Sequence, residues 1–259
     1  MTNAAFPISW KEAGSGPAVV LLHGIGGGAS SWTYQLAGLS SQYRMIAWDM
    51  PGYGTSEALT HASFSGLAEA LLRLLDHLQL DAPHIVGHSI GGMVAQELAA
   101  IHPDRLRSLV LSATSPAFGR PDGDFQRTFI AARLGPLDAG KTMADVARSV
   151  IPELIGDAPD PEGTALAEDC MSRVPAGTYG SMMQCLVTFD RRETLGSIAV
   201  PTLVLAGEKD TQAPAPMMEK MAGRIPGAQY VCLKGAGHLA NMEQPDAYNA
   251  ALLDFLNRT

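Results

Sequence analysis

The sequence predicts an α/β fold in which a mostly parallel central sheet is flanked by helices. Strand-like apolar runs alternate with helical patterns up to about residue 115, and the alternation resumes near residue 196. A continuous apolar run such as Val19-Val20-Leu21-Leu22 is typical of a parallel strand that is buried on both faces. Regular alternation of strands with helices also favours parallel pairing of the strands.

The segment between these regions, residues 115–195, is predicted to be a helical cap inserted over the carboxyl edge of the sheet, after the sixth strand. It is richer in charge, glycine and proline than its flanks, and it contains no buried-strand run. Residues 1–114 and 196–259 are therefore predicted to form the core. A chain of 259 residues suits one large α/β domain with such an insertion.

A glycine-rich loop, residues 23–28 (HGIGGG), directly follows the apolar run at residues 19–22. Preorganised backbone N–H groups stabilise the negative charge that builds on a carbonyl oxygen during acyl transfer. The N–H of Ile25 is the predicted donor, and the side chain of Ile25 is expected to line a pocket. A phosphate-binding loop is a poor alternative, because the lysine of the G-x-x-x-x-G-K-[ST] pattern is missing.

The most informative segment is residues 87–91 (GHSIG), which lie between an apolar run and a helical pattern. Strand, tight turn and helix form the context in which G-x-S-x-G is a nucleophile elbow. Ser89 is the predicted nucleophile, with a strained backbone and its Oγ at the carboxyl edge of the sheet. The N–H of Ile90 is the predicted second oxyanion donor, and its side chain is expected to line the pocket. The side chain of His88 is expected to point away from Ser89.

A serine hydroxyl needs a neighbouring base, and that base needs an orienting acid. Of the seven histidines, His238 is the predicted base, because it follows the strand-like run at residues 230–233 in a glycine-rich loop. The other six lie in predicted helices, in or beside the elbow strand, or in the first glycine-rich loop. Asp210 is the predicted acid, since residues 207–210 (GEKD) follow the strand at residues 200–206 and place it at the carboxyl end of that strand; Glu208 is its rival.

The chain order serine, acid, histidine, together with three further motifs, resembles that of the α/β-hydrolase fold enzymes. The further motifs are His23-Gly24 after a strand, residues 49–56 (DMPGYGTS) and Gly237-His238. The resemblance covers nearly the whole chain. It implies an α/β-hydrolase fold and a catalytic triad of Ser89, His238 and Asp210.

Within that family the chain is similar to the 3-oxoadipate enol-lactonases and their carboxylesterase relatives. The similar stretches are residues 238–245 (HLANMEQP), residues 175–180 (PAGTYG) and Phe189-Asp190. This resemblance implies a serine hydrolase that forms an acyl-enzyme from a small carboxylic ester or an enol-lactone, as in aromatic catabolism.

Three functions remain open at this point. The first is hydrolysis of an ester or lactone. The second is carbon–carbon bond hydrolysis of ring-cleavage products, or peracid formation without a cofactor, on the same triad. The third is ligand binding without catalysis, which an intact triad argues against. His88 and Leu239 stand where many carbon–carbon hydrolases of this fold carry asparagine and tryptophan, which favours the first function.

Substrate specificity is expected to depend on the cap. Arg133, on the predicted first cap helix, is a candidate to bind a substrate carboxylate, because a guanidinium binds one through two hydrogen bonds. The alternative is a surface arginine with its head in water. Trp32 is a candidate pocket wall, or else it packs the first helix. Met93 is a candidate for an adaptable apolar lining, or else plain core.

Charge and cysteine content limit the partners and the location. A formal net charge of −8 argues against nucleic acid, and no apolar run approaches the ~20 residues that span a bilayer. The three cysteines, Cys170, Cys185 and Cys232, are scattered and odd in number, as expected of reduced thiols in a cytoplasmic protein. The first residues show no signal-peptide pattern.

The sequence shows no metal, nucleotide or flavin motif, so the expected chemistry needs only water and no cofactor. The expected partner is a small-molecule ester or lactone, with no binding of nucleic acid or membrane. A homo-oligomer is compatible with the sequence.

Overall fold

A seven-stranded sheet forms the centre of the protein in a computed structural model, which describes residues 7–118 and 123–259. The strands are β1 (Trp10–Ala13), β2 (Ala18–Leu22), β3 (Arg44–Trp48), β4 (His84–His88), β5 (Ser108–Ser112), β6 (Thr202–Gly207) and β7 (Gln229–Leu233). Their spatial order is β1-β3-β2-β4-β5-β6-β7. Among these described strands, only β1 is antiparallel to its neighbour. The predicted α/β fold with a mostly parallel sheet is confirmed.

Ten α-helices connect or cover the strands in the described residues. They are α1 (Thr33–Leu39), α2 (Phe64–His77), α3 (Ile90–Ile101), α4 (Asp124–Asp138), α5 (Met143–Leu154), α6 (Pro161–Ser172), α7 (Ala176–Leu186), α8 (Ala215–Ala222), α9 (Ala240–Glu243) and α10 (Pro245–Leu256). Short 3-10 helices cover Ala29–Trp32, Pro103–Arg105 and Arg192–Ser197.

The two faces of the sheet are covered by different helices. Alternate strand residues point to opposite faces, so neighbours such as Val19 and Val20 belong to different core clusters. Helices α2, α3 and α8 pack on one face, and α1 and α10 pack on the other. The predicted packing of the last helix is present, since Tyr248 and Phe255 of α10 are buried in the second cluster.

The insertion between β5 and β6 consists of four α-helices, α4 to α7, followed by a 3-10 helix, and its described residues form no strand. It follows the fifth strand of the described residues, whereas the sequence analysis places it after the sixth. A buried carboxylate joins it to the core: Glu97 of α3 accepts hydrogen bonds of 2.6 and 2.7 Å from the guanidinium of Arg191.

The division into core and cap stays a prediction. The boundary at residue 114 lies two residues beyond β5, and the boundary at residue 196 lies within the 3-10 helix Arg192–Ser197. Residues 1–6 of the predicted core and residues 119–122 of the predicted cap lie outside the described residues.

All three cysteines are free thiols; Cys170 and Cys185 are buried and Cys232 is exposed. Burial raises the pKa of both Cys170 and Cys185 to about 11, so these thiols are protonated at neutral pH. Among the described residues, no helix combines the length and the apolar character needed to cross a membrane.

Candidate active site

Ser89 lies in the tight turn between β4 and α3. Its backbone has φ 55° and ψ −121°, a conformation that side-chain-bearing residues rarely adopt. The two neighbouring glycines make the turn possible, because strand and helix nearly touch there. A Cβ on Gly87 would lie 2.5 Å from the carbonyl oxygen of Gly91, and a Cβ on Gly91 would collide with the carbonyl oxygen of Leu22. The predicted strain at Ser89 is therefore present.

The side chains of Ser89, His238 and Asp210 form one hydrogen-bonded chain. The distance from Ser89 Oγ to His238 Nε2 is 3.1 Å, and that from His238 Nδ1 to Asp210 Oδ2 is 2.8 Å. Because Asp210 Oδ2 accepts the proton on His238 Nδ1, the imidazole is the Nδ1–H tautomer and its Nε2 is free to accept the serine proton. The structure thus brings the three predicted residues together in hydrogen-bonding contact.

The carboxylate of Asp210 is fully buried and still ionised. Burial alone would raise its pKa, but the adjacent His238 and the N–H groups of Ala213 and Gln212 outweigh that effect and lower it. The two N–H groups donate to Oδ1 at 2.9 and 2.7 Å, and they leave Oδ2 for the imidazole. The rival carboxylate, Glu208, is exposed and accepts instead from the N–H of Gly235 at 3.0 Å.

A second buried carboxylate, which the sequence analysis missed, holds the loop that carries His238. Glu243 accepts from the N–H of Gly237 at 2.9 Å, of Leu239 at 2.8 Å and of Gly156 at 2.6 Å. The first two residues flank His238, and the third belongs to the inserted segment after α5. Burial raises the pKa of Glu243, and the three N–H groups oppose that rise. Glu243 lies in the motif at residues 238–245, two positions before the proline, and this motif is the sequence feature that could have pointed to it.

His88 packs against the base and lines the same cavity as Ser89, so the prediction that its side chain points away from Ser89 is wrong. Its Nε2 donates to the carbonyl oxygen of His238 at 2.8 Å, and the two rings are 5.0 Å apart. Burial, together with His238, lowers the pKa of His88 to about 3, so this imidazole is neutral. The side chain turns inward because the last residue of β4 lies within the carboxyl edge, where the loop of His238 covers it.

The glycine-rich loop after β2 is held by two aromatic side chains. His23 donates from Nδ1 to the carbonyl oxygen of Gly24 at 2.8 Å and accepts at Nε2 from the N–H of Met50 at 2.9 Å. Burial lowers its pKa to about 4, which is consistent with this neutral tautomer. The hydroxyl of Tyr53 donates to the carbonyl oxygen of Ile25 at 2.8 Å. These contacts fix the peptide groups next to the predicted oxyanion donor.

The predicted oxyanion donors differ in where their side chains lie. In the described residues, the N–H groups of Ile25 and Ile90 donate to no protein acceptor. The Ile25 side chain lines the cavity in front of Ser89, as predicted. The Ile90 side chain is fully buried in the core and does not line it, because the first turn of α3 packs against the sheet. The oxyanion role of both N–H groups stays a prediction.

A largely apolar cavity of about 960 Å³, counting its open mouth, opens in front of Ser89 and His238. The inserted helices supply much of its lining, namely Phe129, Arg133, Val150, Ile151, Leu154, Ala167, Met171, Tyr179, Met183 and Leu186. Within residues 7–118 and 123–259, no group of three or more histidine, cysteine or acidic side chains is placed to bind a metal ion.

The three predicted substrate-binding residues have different outcomes. Met93 and Arg133 line the cavity. Arg133 donates to Glu153 at 3.2 Å, and its guanidinium lies 5.6 Å from the ring centre of Phe129. Trp32 does not line the cavity, so the pocket-wall prediction is wrong and the alternative, packing with the first helix, describes it. It is fully buried in the second core cluster with Leu36 and Leu39 of α1, and its ring lies 6.2 Å from that of Tyr248.

Three buried neutral histidines predict acid sensitivity of the fold. The pKa values of His23 and His84 are lowered to about 4 and that of His88 to about 3, chiefly by burial. An unfolded histidine titrates near pH 6.5, so below that pH the unfolded state binds more protons and stability falls as the pH drops towards the folded values. Urea denaturation at pH 7.0 and 5.0 should show a loss of up to about 2 kcal/mol for each histidine.

A matched pair of variants tests the origin of that slope. His88→Gln keeps a donor for the carbonyl oxygen of His238 but cannot titrate, so its loss of stability between pH 7.0 and 5.0 should be smaller than that of the wild type. His61→Gln, at an exposed position, should retain the full wild-type slope. Equal slopes for all three proteins would contradict the assignment to His88.

Known proteins that are similar to this chain include hydrolases, in agreement with the geometry of the site. A family model described as alpha/beta hydrolase fold matches residues 17–245. The chain is 32% identical over 248 residues to a protein provisionally named a carbamate hydrolase from Pseudomonas savastanoi pv. phaseolicola, which covers 93% of this chain and 94% of that protein. It is 30% identical over 235 residues to 3-oxoadipate enol-lactonase 1 from Acinetobacter baylyi, covering 90% and 85%.

A solved structure extends the likeness to the whole fold. The esterase from Thermogutta terrifontis superposes with a TM-score of 0.88 at 28% identity, covering 97% of this chain and 93% of that one. The family match confirms the resemblance drawn from the elbow and the loop motifs, and the enol-lactonase confirms the similarity drawn from the later segments. The chain therefore belongs to the α/β-hydrolase fold family, and it is a hydrolase.

Proposed function

We propose that this hydrolase cleaves a small carboxylic ester or lactone through an acyl-enzyme on Ser89. The observation that carries the proposal is the hydrogen-bonded chain from Ser89 through His238 to Asp210, with distances of 3.1 and 2.8 Å, beside a largely apolar cavity. The relatives named as an enol-lactonase and an esterase support the same reaction class.

In the proposed acylation step, Ser89 Oγ attacks the substrate carbonyl carbon while His238 Nε2 takes the hydroxyl proton. The bond from that carbon to the leaving oxygen then breaks, and the proton on Nε2 passes to this oxygen. Asp210 keeps the Nδ1 proton in place, so Nε2 is the nitrogen that exchanges protons. In a lactone the leaving oxygen stays attached to the acyl group, because both belong to one ring.

In the proposed deacylation step, water replaces the leaving group. Its oxygen attacks the acyl carbon while His238 takes one of its protons, and Ser89 leaves with that proton returned to its Oγ. The products are a carboxylic acid and an alcohol, or a hydroxy acid from a lactone. The N–H groups of Ile25 and Ile90 are the proposed donors to the carbonyl oxygen, which becomes negatively charged in both steps.

The polarity of the cavity favours an ester or lactone over a carbon–carbon substrate. A ring-cleavage dienone is long, conjugated and doubly charged, so its site needs cations placed for both carboxylates. Among the described lining residues, Arg133 is the one with a permanent positive charge, and it already contacts Glu153. The remaining lining is mostly aliphatic, aromatic or methionine side chains.

Arg133 is also the proposed group for a substrate carboxylate, where a substrate carries one. Its side chain is 15% exposed, while its partner Glu153 is 57% exposed. A carboxylate in the cavity can displace Glu153 at low cost, because Glu153 is mostly exposed and is hydrated again when it leaves the guanidinium. The second guanidinium nitrogen is 3.5 Å from Gln212 Oε1, which follows Asp210 in the loop after β6.

The other features of the proposal follow from composition. The proposed partner is a small molecule and not nucleic acid, since the net charge is −8. The proposed location is the cytoplasm, which the three free thiols support.

A substrate panel tests this proposal. Short p-nitrophenyl esters and small lactones should be hydrolysed readily, and ring-cleavage dienones slowly at best, because only the former fit an apolar cavity with one paired cation. Initial rates are followed by p-nitrophenolate absorbance, by proton release and by loss of dienone absorbance. A p-nitrophenyl carbamate and an ester with added hydrogen peroxide complete the panel.

Each outcome assigns a reaction. Faster turnover of the carbamate than of any ester would indicate a carbamate substrate, in line with the provisional name of the relative from Pseudomonas savastanoi. Peracid formation faster than hydrolysis would support the perhydrolase alternative. Efficient cleavage of dienones with negligible esterase activity would overturn the proposal.

A further inference from the structure

A fully buried tyrosine hydroxyl in the cavity wall has no hydrogen-bond partner. Tyr179 lies on α7, its exposed fraction is 0%, and it lines the same cavity as Ser89 and His238. Within the described residues, its hydroxyl neither donates to nor accepts from any other group. A buried hydroxyl without a partner costs free energy, so a ligand that supplies the partner gains by binding there.

The position of Tyr179 distinguishes it from the other buried polar groups without partners. In the described part of the chain these groups are Trp32 Nε1, Gln35 Oε1, Trp48 Nε1, Gln96 Oε1, Ser112 Oγ, Asn241 Oδ1 and the Tyr248 hydroxyl. None of these residues lines the cavity. Among the described residues, Tyr179 is therefore the one that both lines the cavity and carries a buried polar group without a hydrogen-bond partner.

The helix that carries Tyr179 is anchored to the core at the preceding residue. The hydroxyl of Thr178 donates to the carbonyl oxygen of Gly52 at 3.0 Å, and this contact joins α7 to the loop after β3. Gly52 has φ 90°, and a Cβ there would lie 2.9 Å from Thr178 Cγ2, so the Thr178 side chain packs closely on the Gly52 backbone. An anchored helix turn limits the movement of Tyr179, which reduces the ordering cost of binding.

The surroundings of Tyr179 decide what kind of ligand atom it suits. Burial raises its pKa to about 12, with Arg133 opposing the rise, so the hydroxyl is protonated at neutral pH and can donate. A substrate carboxylate is better matched by Arg133, the permanent cation among the described lining residues, than by a neutral hydroxyl. An uncharged carbonyl oxygen needs only one donor, which the Tyr179 hydroxyl can supply.

We propose that the Tyr179 hydroxyl binds an uncharged carbonyl oxygen of the substrate, remote from the scissile bond. The substrate class is then an oxo-substituted ester or a lactone bearing a second carbonyl group. This inference rests on the proposed function and adds a specificity residue to it. Tyr179 contacts the substrate in this proposal but takes no part in bond making or breaking.

Matched pairs of substrates test the proposal in wild type and Tyr179→Phe. The first series compares p-nitrophenyl 4-oxopentanoate, 5-oxohexanoate and 6-oxoheptanoate with the plain pentanoate, hexanoate and heptanoate. The second compares 4-oxopentyl acetate with pentyl acetate, which places the oxygen on the alcohol side. In at least one pair, Tyr179→Phe should raise KM for the oxo substrate about 3- to 10-fold, with kcat and the plain ester nearly unchanged.

Two controls separate binding from structure. Tyr248→Phe removes another fully buried hydroxyl, outside the cavity lining, and should affect oxo and plain substrates equally. The Tm of Tyr179→Phe should equal or exceed that of the wild type, because the change removes a buried group without a partner. The plain esters report separately on the proposed function, since their hydrolysis does not depend on Tyr179.

The outcomes decide the proposal. Equal effects of Tyr179→Phe on oxo and plain esters in every pair, or no effect on any, would overturn it. So would a loss confined to an ester with a terminal carboxylate, p-nitrophenyl hydrogen glutarate, because the hydroxyl would then serve an anion.

Discussion

Ser89→Ala is expected to reduce kcat/KM for p-nitrophenyl acetate by about 10⁴-fold or more while the protein stays folded. The proposed acyl-enzyme forms on Ser89 Oγ, so removing that atom leaves only background attack by water. The Tm should change little, because the hydrogen bond to His238 at 3.1 Å is the side-chain contact that is lost and alanine keeps the Cβ. Steady-state rates and thermal unfolding measure the two effects.

A nearby serine provides the control for this variant. Ser115 also lines the cavity, but its Oγ donates to the carbonyl oxygen of Ala117 at 2.9 Å. Ser115→Ala should therefore keep most of the activity. Phenylmethylsulfonyl fluoride should modify the wild type at Ser89, as detected by peptide mass, and should leave Ser89→Ala unlabelled. Near-normal turnover by Ser89→Ala would remove the proposed mechanism altogether.

The fold was predictable because parallel strands and the elbow have strong local signals. The run at residues 19–22 is apolar throughout because both faces of β2 are covered, and this is visible without any tertiary information. The elbow was visible because only glycine fits at positions 87 and 91, where backbone atoms lie within contact distance of any Cβ. These constraints act over a few residues, so a single sequence records them.

The failures of prediction concern contacts between distant segments. The sequence leaves Trp32 open between pocket wall and helix packing, because its neighbour Tyr248 lies more than 200 positions away in the sequence. The inward direction of His88 depends in the same way on the loop of His238. The sequence analysis gives Glu243 no role of its own, because its three donors are backbone N–H groups, which are the same for every residue except proline.

The lack of a hydrogen-bond partner for the Tyr179 hydroxyl cannot be predicted from the sequence, for a related reason. A tyrosine in a helical segment gives no indication whether its hydroxyl reaches water, a protein acceptor or an enclosed cavity. That distinction appears only when the inserted helices are placed over the sheet edge. Specificity residues of this kind are set by tertiary packing, whereas the positions of nucleophile, acid and base are set by strand ends.

Asp210→Asn is expected to keep the shape of the site and to reduce kcat/KM by up to ~10⁴-fold, as when the acid of a serine-protease triad is replaced. In the wild type, Oδ1 accepts two backbone N–H groups and Oδ2 accepts from His238 Nδ1. In the variant, the oxygen of the new side-chain amide should remain with the backbone donors, which turns its NH₂ group towards Nδ1. The imidazole must then accept at Nδ1 and carry its proton on Nε2, where it can no longer take the proton of Ser89.

Glu208→Gln separates this effect from a general loss of charge near the base. Glu208 is exposed, and its carboxylate accepts from the N–H of Gly235, a bond that a glutamine oxygen can keep. Its kcat/KM should therefore stay close to that of the wild type. Each variant removes one negative charge from the same loop, so a loss confined to Asp210→Asn cannot come from that charge change alone and points to the buried carboxylate in contact with His238. An active Asp210→Asn beside an inactive Glu208→Gln would mean that Glu208, and not Asp210, orients the base during turnover.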